Sequence, residues 1–338
     1  MCGIVFIADG IGGITGHQKE NIFEQLMYAS ELRGNDAAGV FLTTWEGRQF
    51  ALLKRAVRAS EFIDLGKFHK IMNHVHNVDI MIGHTRMGTV GGSTDECAHP
   101  FRHKHITLVH NGHISNASSL KHSMQDTTGV DSDKLANSIA EHGVEQALAA
   151  ANGDFALVWY DSITKSLNLT RNDGRPLYFV KIKDKNTIVG GSELDMLRWV
   201  IKRNYLEIEK DGIHYVADPA KKGDKEIGNI ITFTKESFPG FDARTVELYK
   251  APTYVYPAVS YSGYKEKYKQ LSDYGIKRDT DVEFHPWYVS PNTNVKNLPR
   301  SKGKIYGFIF GESELMVKTH TPLLAVVHGV DDCEEFSL

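Results

Sequence analysis

The sequence predicts an α+β fold in which antiparallel sheets are covered by helices. Short apolar, β-branched segments occur in two batches along the 338 residues, and stretches with helical periodicity lie between the batches. Strict alternation of single strands with single helices is rare, which disfavours a parallel sheet. The composition is 41% hydrophobic and 24% charged, as in ordinary globular proteins, and the chain is long enough to bury a substantial core.

The first batch of strands starts close to the amino terminus. Residues 3–8 form a short apolar run that Asp9 and nearby glycines end, so a buried strand should hold this segment in a sheet. The next segment, 17–31, places its apolar residues on one helical face and predicts a helix. Further strands are predicted at 40–45, 50–54, 79–85 and 106–110, with a helix over 60–72.

The second batch of strands follows a predicted helix over residues 133–151. Beyond residue 205 the texture changes to short apolar patches separated by stretches that contain Tyr, Lys and Pro. We therefore predict a first domain over residues 2–205 and a C-terminal extension or small second domain, of unknown fold and function, over residues 206–338. The strands of this batch are predicted at 154–160, 166–170, 177–182 and 187–190, and a helix at 194–203.

The charge balance favours a small-molecule substrate. With a net charge of −3 and a pI near 6.6, the chain has no basic field that would attract nucleic acid, and no nucleic-acid partner is expected. No apolar stretch reaches the length that spans a bilayer, so no membrane partner is expected either. The expected location is the cytoplasm, and self-association into a homo-oligomer is left open.

Cysteine and histidine usage predicts neither a metal site nor a cofactor. Cys2, Cys97 and Cys333 lack the paired spacing of zinc ligands or of a disulfide framework. That usage fits a reducing compartment. The sixteen histidines are dispersed, and none forms a helical His-x-x-x-His pair with a third ligand.

Cys2 directly follows the initiator methionine. Removal of Met1 would leave a thiol and a free α-amino group on one residue, which pairs a nucleophile with a base. An α-amino group has a pKa of about 7.7 to 8.0, so it can take up a proton during attack and return it to a leaving amine. A lone cysteine at this position is more often a small buried residue that begins a strand. Further sequence features are needed to favour catalysis.

A series of motifs supplies those features, each placed at or near a predicted strand end. The motifs are MCGIVFIA, ELRGNDAAGV, GHTRMGTVGG, CAHPF, LVHNGHISN, VDSDKL and GDFALVWYD. In this order they resemble the glutaminase domain of class II glutamine amidotransferases, and the likeness is strongest to the glucosamine-6-phosphate synthase branch. The likeness extends through NDGRPLYF and GGSE and covers roughly residues 2–205.

This resemblance implies both a fold and a reaction. The fold would be the four-layer αββα sandwich of N-terminal-nucleophile hydrolases, with two antiparallel sheets face to face. In the reaction, Cys2 would attack the side-chain amide of glutamine, giving a thioester and then glutamate. The released ammonia would pass to an unidentified acceptor, either in the C-terminal region or on a separate synthase protein.

Asn111 and Gly112 are the candidate oxyanion-hole residues. Amide hydrolysis through a thiol passes through a tetrahedral oxyanion, which needs fixed hydrogen-bond donors. Asn111 offers a side-chain amide, and Gly112 offers a backbone N–H that a substrate can approach closely. Taken alone, Asn-Gly is typical of a hairpin turn. Together with Cys2 and the other motifs, it favours the oxyanion hole.

Arg86 and Asp131 are the candidate glutamine-binding residues. An arginine can bind the α-carboxylate of glutamine with two hydrogen bonds, and an aspartate can pair with the α-ammonium. The resemblance adds Thr89 and His99 as neighbours in the same pocket. Taken singly, Asp131 would be read as the N-cap of the next helix.

Arg33 and Asp36, in RGNDAAG, are expected by resemblance to organise the loop that faces the nucleophile. The alternative is a surface turn with an ion pair.

Two residues depart from the synthase branch: Met87 stands where Trp is usual, and Val90 where His is usual. These differences bear on pocket closure and on coupling to the acceptor. Residues 206–338 contain no sugar-isomerase repeat, phosphoribosyl-binding motif or Gly-rich ATP loop that we recognise.

Two other functions are compatible with the sequence. An N-terminal-nucleophile hydrolase could use the same thiol on a different amide, because a fold does not fix a substrate. The pairing of Arg86 with Asp131 argues against that reading. A non-catalytic regulator could keep the fold without the activity. The presence of Cys2, Asn111 and Gly112 argues against it.

Overall fold

The architecture is taken from a computed structural model, which describes residues 2–48, 50–88, 92–123 and 128–249. Met1, Thr89, Val90 and residues 250–338 lie outside the described residues, and so do the predictions that concern them. In chain order the strands are β1 (Gly3–Asp9), β2 (Ala37–Thr43), β3 (Phe50–Arg55), β4 (Ile80–Arg86), β5 (Phe101–His103), β6 (Ile106–Ile114), β7 (Gly153–Asp161), β8 (Ser166–Arg171), β9 (Tyr178–Ile182), β10 (Thr187–Gly191), β11 (Ile208–Tyr215), β12 (Ala220–Lys222), β13 (Lys225–Thr234) and β14 (Asp242–Leu248). The helices are α1 (Gly16–Ser30), α2 (Ala59–Ile63), α3 (Gly66–Met72), α4 (Asp131–His142), α5 (Val144–Ala150) and α6 (Leu194–Arg203).

The strands of the described part of the chain form two sheets of seven strands. The first sheet has the spatial order β11-β9-β10-β1-β4-β2-β3, so β1 lies in its centre. The second sheet has the order β12-β13-β8-β7-β6-β5, and β14 pairs with β13. Neighbouring strands are antiparallel in both sheets, as the sequence predicts.

Three apolar cores separate four layers. The period-2 alternation of β1 shows this, because Ile4 and Phe6 face the core between the sheets whereas Val5 and Ile7 face the helices. Helices α1, α2, α3 and α6 cover the first sheet, and α4 and α5 cover the second. The αββα sandwich expected from the resemblance is thereby confirmed.

Helix α1 begins at a capping box. The Thr15 hydroxyl accepts a hydrogen bond from the Gln18 N–H, and the Gln18 side chain accepts one from the Thr15 N–H. The buried face of α1 then packs on β1 and β4 through residues that include Phe23 and Met27. This packing fixes the first sheet beneath the segment that leads to Arg33.

Three features differ most from the expected element boundaries. The helix expected over 60–72 is divided into α2 and α3. The helix expected over 133–151 is divided at Gly143, whose φ of 85° lies in the left-handed region that favours glycine. The strand expected to end at residue 110 continues through Asn111 and Gly112 to Ile114, which bears directly on the site.

Strands beyond residue 205 continue the two sheets. Strand β11 pairs with β9 in the first sheet, and β13 pairs with β8 in the second. The apolar patch seen in the sequence at 230–233 is the buried part of β13. The division between residues 205 and 206 stays a prediction.

Candidate active site

Cys2 lies directly before β1, at one end of the first sheet. Its carbonyl oxygen accepts a hydrogen bond of 2.8 Å from Arg33 Nε. Its Sγ lies 3.4 Å from the Met87 nitrogen, whose N–H points toward the sulfur. Burial raises the pKa of the Cys2 thiol, and the Met87 N–H partly offsets that rise. The nucleophile candidate is therefore held by contacts to both its backbone and its sulfur.

Arg33 connects Cys2 to the end of β10. The guanidinium is buried and forms an ion pair with Glu193, the residue that precedes α6. Because a buried arginine without a partner would be costly, Glu193 stabilises the position from which Arg33 binds the Cys2 carbonyl. The contact reaches the interior of the protein, so the surface-turn alternative is wrong for Arg33.

Asp36 connects the same loop to the end of β4. Its backbone N–H donates to the Arg86 carbonyl at 2.9 Å, and its carboxylate accepts from the Gly88 N–H at 2.6 Å. Gly34 allows this approach, because a Cβ there would lie 2.6 Å from the Met87 nitrogen. The loop that begins at Arg33 therefore packs against the segment that contacts the Cys2 sulfur.

Asn111 and Gly112 lie inside β6, where they pair with Ala156 and Phe155 of β7. The hairpin-turn alternative for Asn-Gly is therefore wrong. Gly112 has a φ of 145°, and a Cβ at this position would overlap the Asp154 carbonyl oxygen. Glycine is thus required both by the backbone conformation and by the space available.

The Asn111 side chain is held between the two sheets. Its Nδ2 donates to the Ser192 hydroxyl at 2.8 Å, and its Oδ1 lies 3.1 Å from His84 Nε2. The same Ser192 hydroxyl accepts from the Ile4 N–H at 3.0 Å. Ile4 is two residues from Cys2, so Ser192 connects the oxyanion candidate to the strand that carries the nucleophile candidate.

Three buried histidines lie beside Asn111. The rings of His84 and His99 have centroids 4.0 Å apart, and His110 Nδ1 lies 2.8 Å from the Ser132 hydroxyl. Burial lowers the pKa of His84 to about 3 and also lowers the pKa values of His99 and His110. All three rings are therefore neutral near pH 7. His99, predicted as a pocket residue, contacts His84 and Phe101.

Asp131 is the first residue of α4, and Val130 takes the N-cap position. Its carboxylate accepts from the Ser132 N–H at 2.9 Å and from the Ile114 N–H at 2.7 Å. His113 Nδ1 lies 3.5 Å from the same carboxylate. Asp131 therefore stabilises the start of the helix, as its residue type predicts, and also binds the strand that carries Asn111.

Arg86 ends β4 and is buried. Its guanidinium donates to the Gly92 carbonyl at 2.9 Å. Thr89 lies outside the described residues. Met87, by contrast, is 39% exposed although its backbone contacts Cys2. Of the two departures from the synthase branch, Met87 thus contacts the nucleophile candidate, and Val90 lies outside the described residues.

The described residues of the predicted site are joined by these contacts into one network. Its catalytic and binding roles remain predictions. Sequence reasoning missed His84, His110, Ser192 and Glu193 as site residues. The sequence did contain a signal for them, because all four lie within the motifs that carry the resemblance: His84 in GHTR, His110 in LVHNG, and Ser192 and Glu193 in GGSE.

Three further observations concern metal sites, other grooves and membrane helices. Among the described residues, no group of three or more His, Cys, Asp and Glu side chains is arranged to hold a metal ion. A groove of about 620 Å³ runs beside β3, but it is lined by residues of β3, of α3 and of the short turn Asp95–Cys97, such as Leu52, Lys70 and Glu96, and by none of the network. No helix in the described ranges is long and apolar enough to cross a membrane.

The central position of β1 and the two facing antiparallel sheets give the chain the fold of the N-terminal-nucleophile hydrolases. Residues 70–233 match the family model described as a glutamine amidotransferase domain. This match covers just under half of the chain, which is similar to the class II glutamine amidotransferases and, among them, to the glucosamine-6-phosphate synthase branch.

Curated relatives are similar to part of the chain. The chain is 28% identical over 213 residues to the glutamine–fructose-6-phosphate aminotransferase (isomerizing) of Gluconobacter oxydans, a match that covers 59% of this chain and 34% of the relative. It is 35% identical over 127 residues to the enzyme of the same name from Fusobacterium nucleatum, covering 36% of this chain and 18% of the relative. The chain thus spans about a third or less of the length of the relatives it matches.

Solved structures support the fold. The glutamine phosphoribosylpyrophosphate amidotransferase from B. subtilis, solved with ADP and GMP, superposes with a TM-score of 0.51 at 21% identity, over 72% of this chain and 49% of that one. A structure described as the allosteric regulatory enzyme of purine biosynthesis gives a TM-score of 0.52, also at 21% identity, over 72% of this chain and 48% of that one. At this identity the likeness concerns the fold alone.

Proposed function

We propose that the chain hydrolyses glutamine at Cys2 and supplies ammonia to an acceptor. The observation that carries the proposal is the placement of the Cys2 sulfur beside the Met87 N–H, on the strand that Ser192 joins to Asn111. This placement supports the proposal, because the candidate nucleophile and the candidate oxyanion donor are joined through Ser192 across the two sheets. The match of residues 70–233 to the glutamine amidotransferase family model supports the choice of glutamine.

The nucleophilic step begins once Met1 has been removed. The free α-amino group of Cys2 accepts the thiol proton, and the sulfur attacks the amide carbon of glutamine. Because burial raises the pKa of the thiol, proton removal by this amine is needed for attack near neutral pH. The amine then returns the proton to the leaving nitrogen, which departs as ammonia. Water hydrolyses the resulting thioester to glutamate and restores the thiol.

The oxyanion formed in each step needs donors already in position. The Asn111 Nδ2 group and the Gly112 N–H are the candidates, and both lie on a strand that is paired along its whole length. Donors fixed in this way stabilise the transition state without reorganising during the reaction. The requirement for glycine at position 112 is consistent with this role, because a side chain would displace the strand.

Substrate selectivity is assigned to two charged residues of the network, Arg86 and Asp131. Arg86 would bind the α-carboxylate of glutamine, and Asp131 would pair with its α-ammonium. Thr89 and His99 complete the proposed pocket, with Arg33 and Asp36 holding the loop next to Cys2. The acceptor of ammonia is placed in residues 206–338 or on a separate synthase protein.

The proposal is tested by assaying the purified protein with L-glutamine. Glutamate and ammonia should appear in equal amounts, and mass spectrometry of the active protein should find Cys2 at the amino terminus. Butanamide, which lacks both α-charges, should be a far poorer substrate. Full activity with Met1 still attached would rule out the amine-base mechanism. A protein that hydrolyses butanamide but not glutamine would be a hydrolase of another amide.

Replacement of Asp131 by Asn should raise KM for glutamine more than it lowers kcat. The substitution leaves the thiol and the oxyanion donors in place but removes the counter-charge for the α-ammonium. A charged contact of this kind contributes about 1.5 to 3 kcal/mol, so KM should rise roughly ten- to a hundredfold. Steady-state kinetics measure the change.

Asp133→Asn provides the matched control for this prediction. Asp133 lies in the same first turn of α4, but its carboxylate binds His103 and Thr128 on the outer side of the second sheet. Its replacement should leave KM for glutamine unchanged. Equal effects of the two substitutions on KM would show that helix stability, not charge pairing with the substrate, explains the result.

A further inference from the structure

His84 makes contacts that specify its hydrogen position. Its Nε2 atom lies 3.0 Å from the His110 carbonyl oxygen and 3.1 Å from Asn111 Oδ1. A carbonyl oxygen can only accept, so Nε2 must carry the hydrogen and donate to both oxygens. The ring is neutral near pH 7 and keeps this hydrogen on Nε2. His84 is therefore a fixed donor directed at the Asn111 amide oxygen.

This donor also selects the orientation of the Asn111 amide. With Oδ1 toward His84, Nδ2 lies 2.8 Å from the Ser192 hydroxyl, which in turn accepts from Ile4. An amide rotated by 180° would bring its NH₂ group against the His84 N–H, and two donors would face each other. That arrangement leaves buried donors unpaired at a cost of about 1 to 3 kcal/mol. One orientation is thus strongly favoured.

We propose that His84 is a positioning residue for the oxyanion donor Asn111. By holding Oδ1, it leaves one Nδ2 hydrogen bonded to Ser192 and directs the second toward the oxygen of the substrate amide. The proposal rests on the glutaminase function assigned to the site. His84 itself touches neither the substrate nor the reacting atoms, and its effect on catalysis passes through Asn111.

Replacement of His84 tests this role. His84→Phe keeps a ring but removes the donor, and kcat for glutamine hydrolysis should fall about 10- to 100-fold while KM changes less than about twofold. This is less than the loss of about 10² to 10³ that follows complete removal of an oxyanion donor. His84→Gln can donate from a similar position and should recover most of the lost kcat. His84→Asn, which is polar but too short to reach Oδ1, should resemble His84→Phe.

Two further measurements separate positioning from a general structural effect. Alkylation of Cys2 by iodoacetamide involves no oxyanion, so its rate should be the same in the wild-type protein and in all three variants. In a double-mutant cycle, His84→Phe should not slow a protein that already carries Asn111→Ala, because the two residues act through one group. A structural defect would lower both the alkylation rate and the activity of the Asn111→Ala background.

The outcomes distinguish this inference from the function on which it rests. A wild-type protein that releases no ammonia from glutamine refutes the proposed function. An active wild-type protein whose kcat is unchanged by His84→Phe and His84→Asn refutes the positioning role alone. Loss of alkylation together with activity, without rescue by His84→Gln, also refutes it. If His84→Phe fails to fold, the comparison of His84→Gln with His84→Asn decides the question.

Discussion

Cys2→Ala is expected to abolish glutamine hydrolysis, with a loss of at least about a thousandfold in kcat/KM. Alanine keeps the backbone carbonyl that binds Arg33, so the start of β1 should stay in place. The melting temperature should therefore change little. Any transfer reaction that uses added ammonia should persist, because only the nucleophile is lost. Ammonia release and thermal unfolding measure the two effects.

Cys97→Ala is the matched control for this prediction. Cys97 is the other cysteine in the described part of the chain; it is buried and contacts Thr94 and Thr128. Its replacement should leave glutamine hydrolysis within about twofold of the wild type, because the residue takes no part in the proposed chemistry. Residual hydrolysis in Cys2→Ala that matches the wild-type rate would exclude Cys2 as the nucleophile.

The second large effect is a loss of stability in weak acid. The pKa of His84 is about 3 in the folded protein, and burial holds that of His99 well below its usual range. In the unfolded chain both should titrate near 6.5, so unfolding takes up protons below that pH. Stability is therefore greatest above pH 6.5 and falls as the pH decreases. These two groups should lower the free energy of unfolding by about 2 kcal/mol between pH 7 and pH 5.5.

Chemical denaturation at these two pH values measures the loss, since ordinary carboxylates remain ionised over this range. His99→Phe should keep the packing against His84 and Phe101 while reducing the loss by about 1 kcal/mol. His74→Gln, at an exposed position, is the control and should not change it. If the free energy of unfolding of His99→Phe depends on pH as strongly as that of the wild type, this account of the buried rings is contradicted.

Much of the fold could be predicted because local patterns agree with it. Helix α6 has the predicted bounds, and β1 differs by one residue. Apolar periodicity was sufficient for these elements, since each has one buried face or lies wholly within the core. The helix expected over 133–151 is interrupted because Gly143 adopts a left-handed conformation, and periodicity does not reveal backbone dihedral angles.

The candidate site was predicted only in part, for a different reason. Motif order identified Cys2, Asn111 and Asp131, whose residue types match a known chemistry. The partners of Asn111 were not predicted, because Ser192 is 81 positions away and reaches it from the other sheet. Contacts between side chains of two sheets depend on strand register and on the packing of the sheets. Local sequence patterns determine neither of these.

The central position of β1 also has a consequence for synthesis. Its neighbour β10 is made much later, since Ile4 and Ser192, which are hydrogen-bonded, are 188 positions apart. At ribosomal rates of about 5 to 20 residues per second, roughly 10 to 40 seconds pass between the two. During that interval β1 cannot be enclosed in the finished sheet. Under the proposed mechanism, the removal of Met1 that exposes the Cys2 amine would therefore be expected in this interval, before β10 joins the sheet beside β1.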